Sequence, residues 1–191
     1  MNKIVLAFSL LVANIGYSQN SIEWDGTYKL ELSDFKSPAT QIGDVAMYSL
    51  HMPSGIDFSF AMSNVEFMFT KNFNSKVNTV FSQESSSIVA PDIETAESLV
   101  NFANYQFDLA ELYARKLRKK ISEEKGTFSN ASFLKPLYDS IQNEFSNRFT
   151  LMAKESDLGR NRDLLEKEHA LVLEEIQELS QFCKTCKLAK K

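Results

Sequence analysis

The sequence holds only two cysteines and two histidines, and their spacing restricts what chemistry each could do. The two cysteines, Cys183 and Cys186, stand in Phe-Cys-Lys-Thr-Cys near the C-terminus. A redox-active pair sets its first thiol at a helix N-terminus, where the dipole lowers its pKa. This pair instead follows a helical pattern, and one CxxC supplies only half of a zinc site. A local disulfide or two idle thiols is the expectation outside the cytoplasm. The two histidines are His51 and His169. Glu166-x-x-His169 has the spacing of half a di-metal motif, but nothing supplies the other half, so it reads as a solvated helix face. His51 ends a predicted strand and reads as structural or exposed. Ser85 to Ser87 lie in no nucleophile-elbow pattern. Arg115-Lys116-Leu117-Arg118-Lys119-Lys120 is a basic cluster near a helix end, read as a solvated face helped by the dipole.

The elements that must position these residues divide into three regions. Met-Asn-Lys, the apolar run Ile4–Val12 and the small residues before Gln19 have the form of a cleavable signal peptide over residues 1–18. The run is too short for a membrane span, and no Cys follows it to take a lipid. The expected mature protein, 19–191, is one domain with a short C-terminal tail. It is located outside the cytoplasm, in the periplasm in preference to the medium. Loss of Lys3 makes it one unit more acidic than the whole chain's net −4. That balance gives no reason to expect a nucleic-acid partner, and no apolar stretch in the mature protein is long enough to span a membrane.

Residues 27–81 read as strands. Val65, Phe67 and Phe69 alternate with polar or flexible neighbours at period two. Similar runs cover Tyr28–Leu32, Val45–His51, Gly55–Phe60 and Lys76–Phe81, with turn signals between them. Ser82–Ala90 reads as a polar loop. From Pro91 onward apolar residues recur every three or four positions, from Ala96 to Ile121, marking one face of a long helix that Gly126 ends. Further helices are predicted over Ser132–Lys154 and Arg160–Phe182. The expected class is α+β, a mostly antiparallel sheet followed by three helices.

The long helix contains Phe102-Ala103-Asn104-Tyr105-Gln106-Phe107-Asp108-Leu109-Ala110-Glu111-Leu112-Tyr113-Ala114-Arg115-Lys116-Leu117-Arg118. From Phe107 to Arg118 it resembles the stretch that follows HExxH in a bacterial family of exported zinc peptidases, domain of unknown function 922. Leu30–Lys36, Val80–Ser86 and Ala153–Asn161 resemble three outlying motifs of the family, in the same order. The resemblance implies a zincin-like fold.

The departures fall on the chemistry. HExxH presents two imidazoles to one metal with a Glu that activates water. Here the corresponding positions hold Phe102, Ala103 and Gln106, and the third ligand position holds Leu158. His169 lies about 16 Å along a helix from Leu158 and is not expected to replace a ligand. The resemblance makes Asp108, Glu111 and Arg115 former neighbours of the ligands; a structural reading makes Glu111–Arg115 an i,i+4 surface pair. No catalytic residue, metal or cofactor is expected. The reading is a pseudoenzyme that acts by binding an unidentified protein or peptide. Its alternatives are a hydrolase with altered ligands or a non-metal mechanism, and an interaction domain unrelated to peptidases. If the ancestry holds, Phe102 and Leu158 pack where zinc once sat, with Gln106 hydrogen-bonded beside them.

Overall fold

The computed structural model describes residues 20–58, 62–125 and 131–187. The predicted signal peptide and Gly126 lie outside them. Among the described residues the strands are β1 (Ser21–Glu23), β2 (Gln41–Ile42), β3 (Ser49–His51), β4 (Ser54–Phe58), β5 (Val77–Ser82) and β6 (Ser87–Ala90). The α-helices are α1 (Asn64–Phe69), α2 (Ile93–Glu124), α3 (Leu134–Glu155) and α4 (Arg162–Glu178). The class is α+β, as expected, but the strands form two three-stranded sheets rather than one. β1-β5-β4 is antiparallel, whereas β2-β6-β3 joins a parallel pair, β2 with β6, to an antiparallel one.

The strand region departs from expectation at three places. Val65–Phe69 is helix. The Ser63 hydroxyl accepts the Glu66 N–H at 3.1 Å and caps the first turn of α1, turning Phe67 into the core and leaving Val65, Met68 and Phe69 exposed. Tyr28–Leu32 joins no sheet, because its partner is a side chain. The Asn104 amide accepts the Leu30 N–H at 2.8 Å and donates to the Leu30 carbonyl at 2.9 Å, an imitation of strand pairing. Ser82–Ala90 is not all loop: Ser87–Ala90 is β6, with Ile88 fully buried.

α2 organises everything else. The Asp92 carboxylate accepts the Thr95 N–H at 2.7 Å and starts it; backbone hydrogen bonds hold that carboxyl below its usual range. Instead of one apolar face, every residue from Tyr105 to Arg115 is buried. Both sheets pack against α2, and α3 and α4 cover its remaining sides. The helix therefore separates two apolar clusters. One contains Phe102, Leu109, Ile141 and Val172; the other contains Leu30, Phe81, Ile88, Ala103 and Phe107.

Candidate functional site

The four positions where the family would hold its metal site lie at the heart of this packing. Phe102 is fully buried, with its ring centroid 5.7 Å from both Tyr105 and Phe149. Ala103 is fully buried on the other side of the helix, and Gln106 donates from Nε2 to the Met52 carbonyl at 3.3 Å. The α3–α4 loop crosses α2 at this level. Asp157, Leu158 and Gly159 all have positive φ, 51°, 53° and 93°. A Cβ on Gly159 would lie 2.5 Å from the Ser98 carbonyl and 3.1 Å from Phe102 Cβ, so only glycine lets the loop approach so closely. Leu158 is half-buried against both clusters.

This donor set does not fit zinc. The side chains of Phe102, Ala103 and Leu158 offer no lone pair, and the neutral Gln106 amide is a poor zinc ligand. Among the described residues no three His, Cys, Asp or Glu side chains come together in a group able to hold a metal ion.

Two of the segments that resemble family motifs, Leu30–Lys36 and Val80–Ser86, are neighbours. Asp34, buried in the turn Leu32–Asp34, accepts from Gln83 Nε2 at 2.7 Å, and the Lys36 and Ser37 N–H groups donate to the Gln83 and Ser86 carbonyls. Tyr48 donates to Asp157 at 2.6 Å and ties β3 to the α3–α4 loop.

His169 corrects the expectation of a solvated face. Its Nε2 lies 2.6 Å from Asp108 Oδ2, while Trp24 Nε1 donates to Asp108 Oδ1, also at 2.6 Å. The Tyr105 ring stands edge-on to His169 at 5.9 Å. Burial by itself would raise the Asp108 carboxyl; hydrogen bonds from His169 and Trp24, with the charges of His169 and Lys29, hold it below the usual range. Burial pushes the Tyr105 hydroxyl strongly up. The missed signal lies in α4: His169 continues the stripe Leu165, Val172 and Ile176, at steps of four, three and four. Nothing in the sequence could have joined it to Trp24.

His169 also lines a cleft of about 360 Å³ between the Lys29–Leu30 segment, α2 and the first half of α4. Asn101, Arg162 and Glu166 line it together with the apolar Val100 and Leu165.

Glu111 and Arg115 are not a surface pair. Glu111 accepts from Arg115 Nε at 2.9 Å and from Arg118 Nη1 at 2.8 Å, and all three residues are buried. Thr79 donates to Glu111 at 2.8 Å. The two guanidinium groups then reach backbone: Arg115 the Ile176 carbonyl, Arg118 the carbonyls of Val77 and Phe182. The predicted solvated cluster thus places two of its arginines in the core. Two of those carbonyls lie near the C-terminal ends of helical turns, which otherwise lack partners and favour cations.

Cys183 and Cys186 are joined as a disulfide. The Cys186 carbonyl accepts from Asn72 and Asn74 at 2.8 and 3.0 Å, and Lys184 pairs with Glu23, so the expected tail is docked. His51 is exposed and stands opposite Ser87 across the β3–β6 ladder, and Ser86 donates to the Ser82 carbonyl. No helix among the described residues is long and apolar enough to cross a membrane.

Comparison with protein-family models, with curated proteins and with solved structures finds no match to this protein.

Proposed function

We propose that this is an exported, zincin-like protein, periplasmic in preference to extracellular, that has given up metallopeptidase chemistry and acts by binding a protein or peptide. The observation that carries the reading is the enclosure of Phe102, Ala103 and Gln106 in the core. A catalytic metal needs an open coordination position beside substrate, and a helix face sealed by aromatic packing leaves none. The α2–α4 cleft offers a separate place for a ligand, and the contacts between two of the outlying motif segments, Leu30–Lys36 and Val80–Ser86, support the zincin-like reading.

Elemental analysis of protein purified without chelator or metal-affinity tag is expected to give well under one equivalent of zinc. Chelator is expected to leave Tm unchanged, because loss of a metal bound to the native state would lower it. Stoichiometric zinc, or proteolysis abolished by chelator, overturns the reading. N-terminal sequencing of native protein is expected to start near Gln19; an intact Met1 end on envelope-derived protein contradicts cleavage.

The Asp108–His169 pair favours one alternative, a non-metal hydrolase. A carboxylate that orients an imidazole beside a cleft is the arrangement of a general base. Chelator-insensitive hydrolysis lost in His169→Gln would decide for it.

A further inference from the structure

The cleft has a chemistry of its own, and the inference drawn from it rests on the binding reading above. Its volume of about 360 Å³ is at the small end of the range for ligand pockets, enough for one side chain and a short length of backbone. Leu30, Val100 and Leu165 give it apolar surface. Two cations from separate elements stand beside it. Lys29 is 61% exposed, and its nearest carboxylate, Asp108, is 3.7 Å away, beyond hydrogen-bond reach. Arg162 lies 3.6 Å from a Glu94 side chain that is itself 83% exposed.

Arg162 is unlike the other arginines of the described residues. Arg115, Arg118, Arg148 and Arg160 all make hydrogen bonds to carboxylate, carbonyl or hydroxyl oxygen, and Arg162 makes none. A guanidinium has a planar fork of donors suited to a carboxylate, and here that fork makes no hydrogen bond, its one ion pair being the 3.6 Å approach to Glu94. Behind it, His169 is fixed by Asp108, which Trp24 fixes in turn. With Nε2 turned to Asp108, the imidazole has one nitrogen left for another partner.

Glu166, exposed at the same cleft, argues against a bare inorganic anion. It would repel a second negative charge while accepting a backbone N–H. Asn101, with no partner among the described residues, adds an amide that can donate and accept. One acid among three basic groups, a neutral amide and apolar surface together suit a peptide that carries a single carboxylate.

We propose that the cleft between the Lys29–Leu30 segment, α2 and α4 binds a peptide carboxylate, with Lys29 and Arg162 holding the charge and His169 lining the same cleft. The carboxylate is either the α-carboxylate that ends a peptide or an acidic side group within one, and the test separates the two. Amide chemical-shift mapping of the full mature protein would use three probes: N-acetyl-Ala-Leu free acid, N-acetyl-Ala-Glu amide and N-acetyl-Ala-Leu amide. One of the two carboxylate peptides is expected to give saturable shifts at Asn101, Asn104, Leu165 and His169. The neutral amide is expected to bind at least about tenfold more weakly.

The pair Lys29→Gln and Arg162→Gln, both exposed side chains, is expected to remove that preference without moving Tm. Equal affinity for all three peptides sinks the carboxylate and leaves a binding cleft. Shifts located elsewhere, or none up to about 10 mM, overturn the site itself. The zinc and chelator measurements decide the inactive-peptidase reading independently of either result.

Discussion

Phe102 has no polar atom to protect and no exposed surface, so its worth is read directly from packing. Truncation would open a cavity among Tyr105, Phe149 and the α3–α4 loop. Phe102→Ala is expected to cost about 3–5 kcal/mol, seen as a lower urea midpoint; a near-neutral change would remove it from the core. Gly159→Ala is expected to destabilise by more than about 1 kcal/mol, because φ is positive there and the Ser98 carbonyl occupies the Cβ position. Asp108 sets a pH dependence. Its folded-state pKa is depressed below the unfolded value of about 3.9. The contribution is therefore complete above about pH 4 and is lost as pH falls through the folded value. Tm measured from pH 6 downward is expected to fall less steeply in Asp108→Asn than in the parent; parallel curves would deny Asp108 that role. At this scale the sequence revealed that Phe102, Ala103, Gln106 and Leu158 lack ligand chemistry, because residue type alone decides it. It concealed the Asp108–His169–Trp24 chain, since no local periodicity links residues 84 and 61 positions apart.

Among the elements, α2, α3 and α4 were legible within a few residues, because a repeat of three and four survives whatever the helix packs on. The strand region was less so. The period-two pattern of Val65, Phe67 and Phe69 is overridden by a cap whose signal, Ser63-Asn64-Val65-Glu66, is itself in the sequence. The extended Tyr28–Leu32 segment had the character of a strand, but its partner is Asn104, which no pairing rule anticipates. The C-terminal turn is an element in its own right. Its disulfide closes a very short loop, so replacing both cysteines by serine is expected to cost about 2 kcal/mol or less. The effect should be local. Hydrogen exchange is expected to rise around residues 72–76 and 180–187, where the Cys186 carbonyl meets Asn72 and Asn74, and to stay unchanged along α2. Uniformly faster exchange would mean that the turn holds the whole domain.

For the molecule as a whole, one polar knot, Glu111 with Arg115 and Arg118, ties α2 to β5, α4 and the C-terminal turn. Glu111→Gln leaves two buried guanidinium groups without their anion and is expected to cost about 3–5 kcal/mol in equilibrium unfolding; a loss under about 1 kcal/mol would show the arginines satisfied by backbone alone. That knot also bears on the order in which the polypeptide can assemble. Its carboxylate and both cations arise from the middle of the sequence, but two of the carbonyls that complete it belong to Ile176 and Phe182. Synthesis delivers those atoms after every other member of the knot. Until they arrive, Arg115 and Arg118 each lack a partner that burial requires, and the long helix cannot be enclosed at lowest free energy. A polypeptide cut short before residue 176 would therefore leave both guanidinium groups without these acceptors, and closure of the knot waits for the segment that carries Ile176 and Phe182.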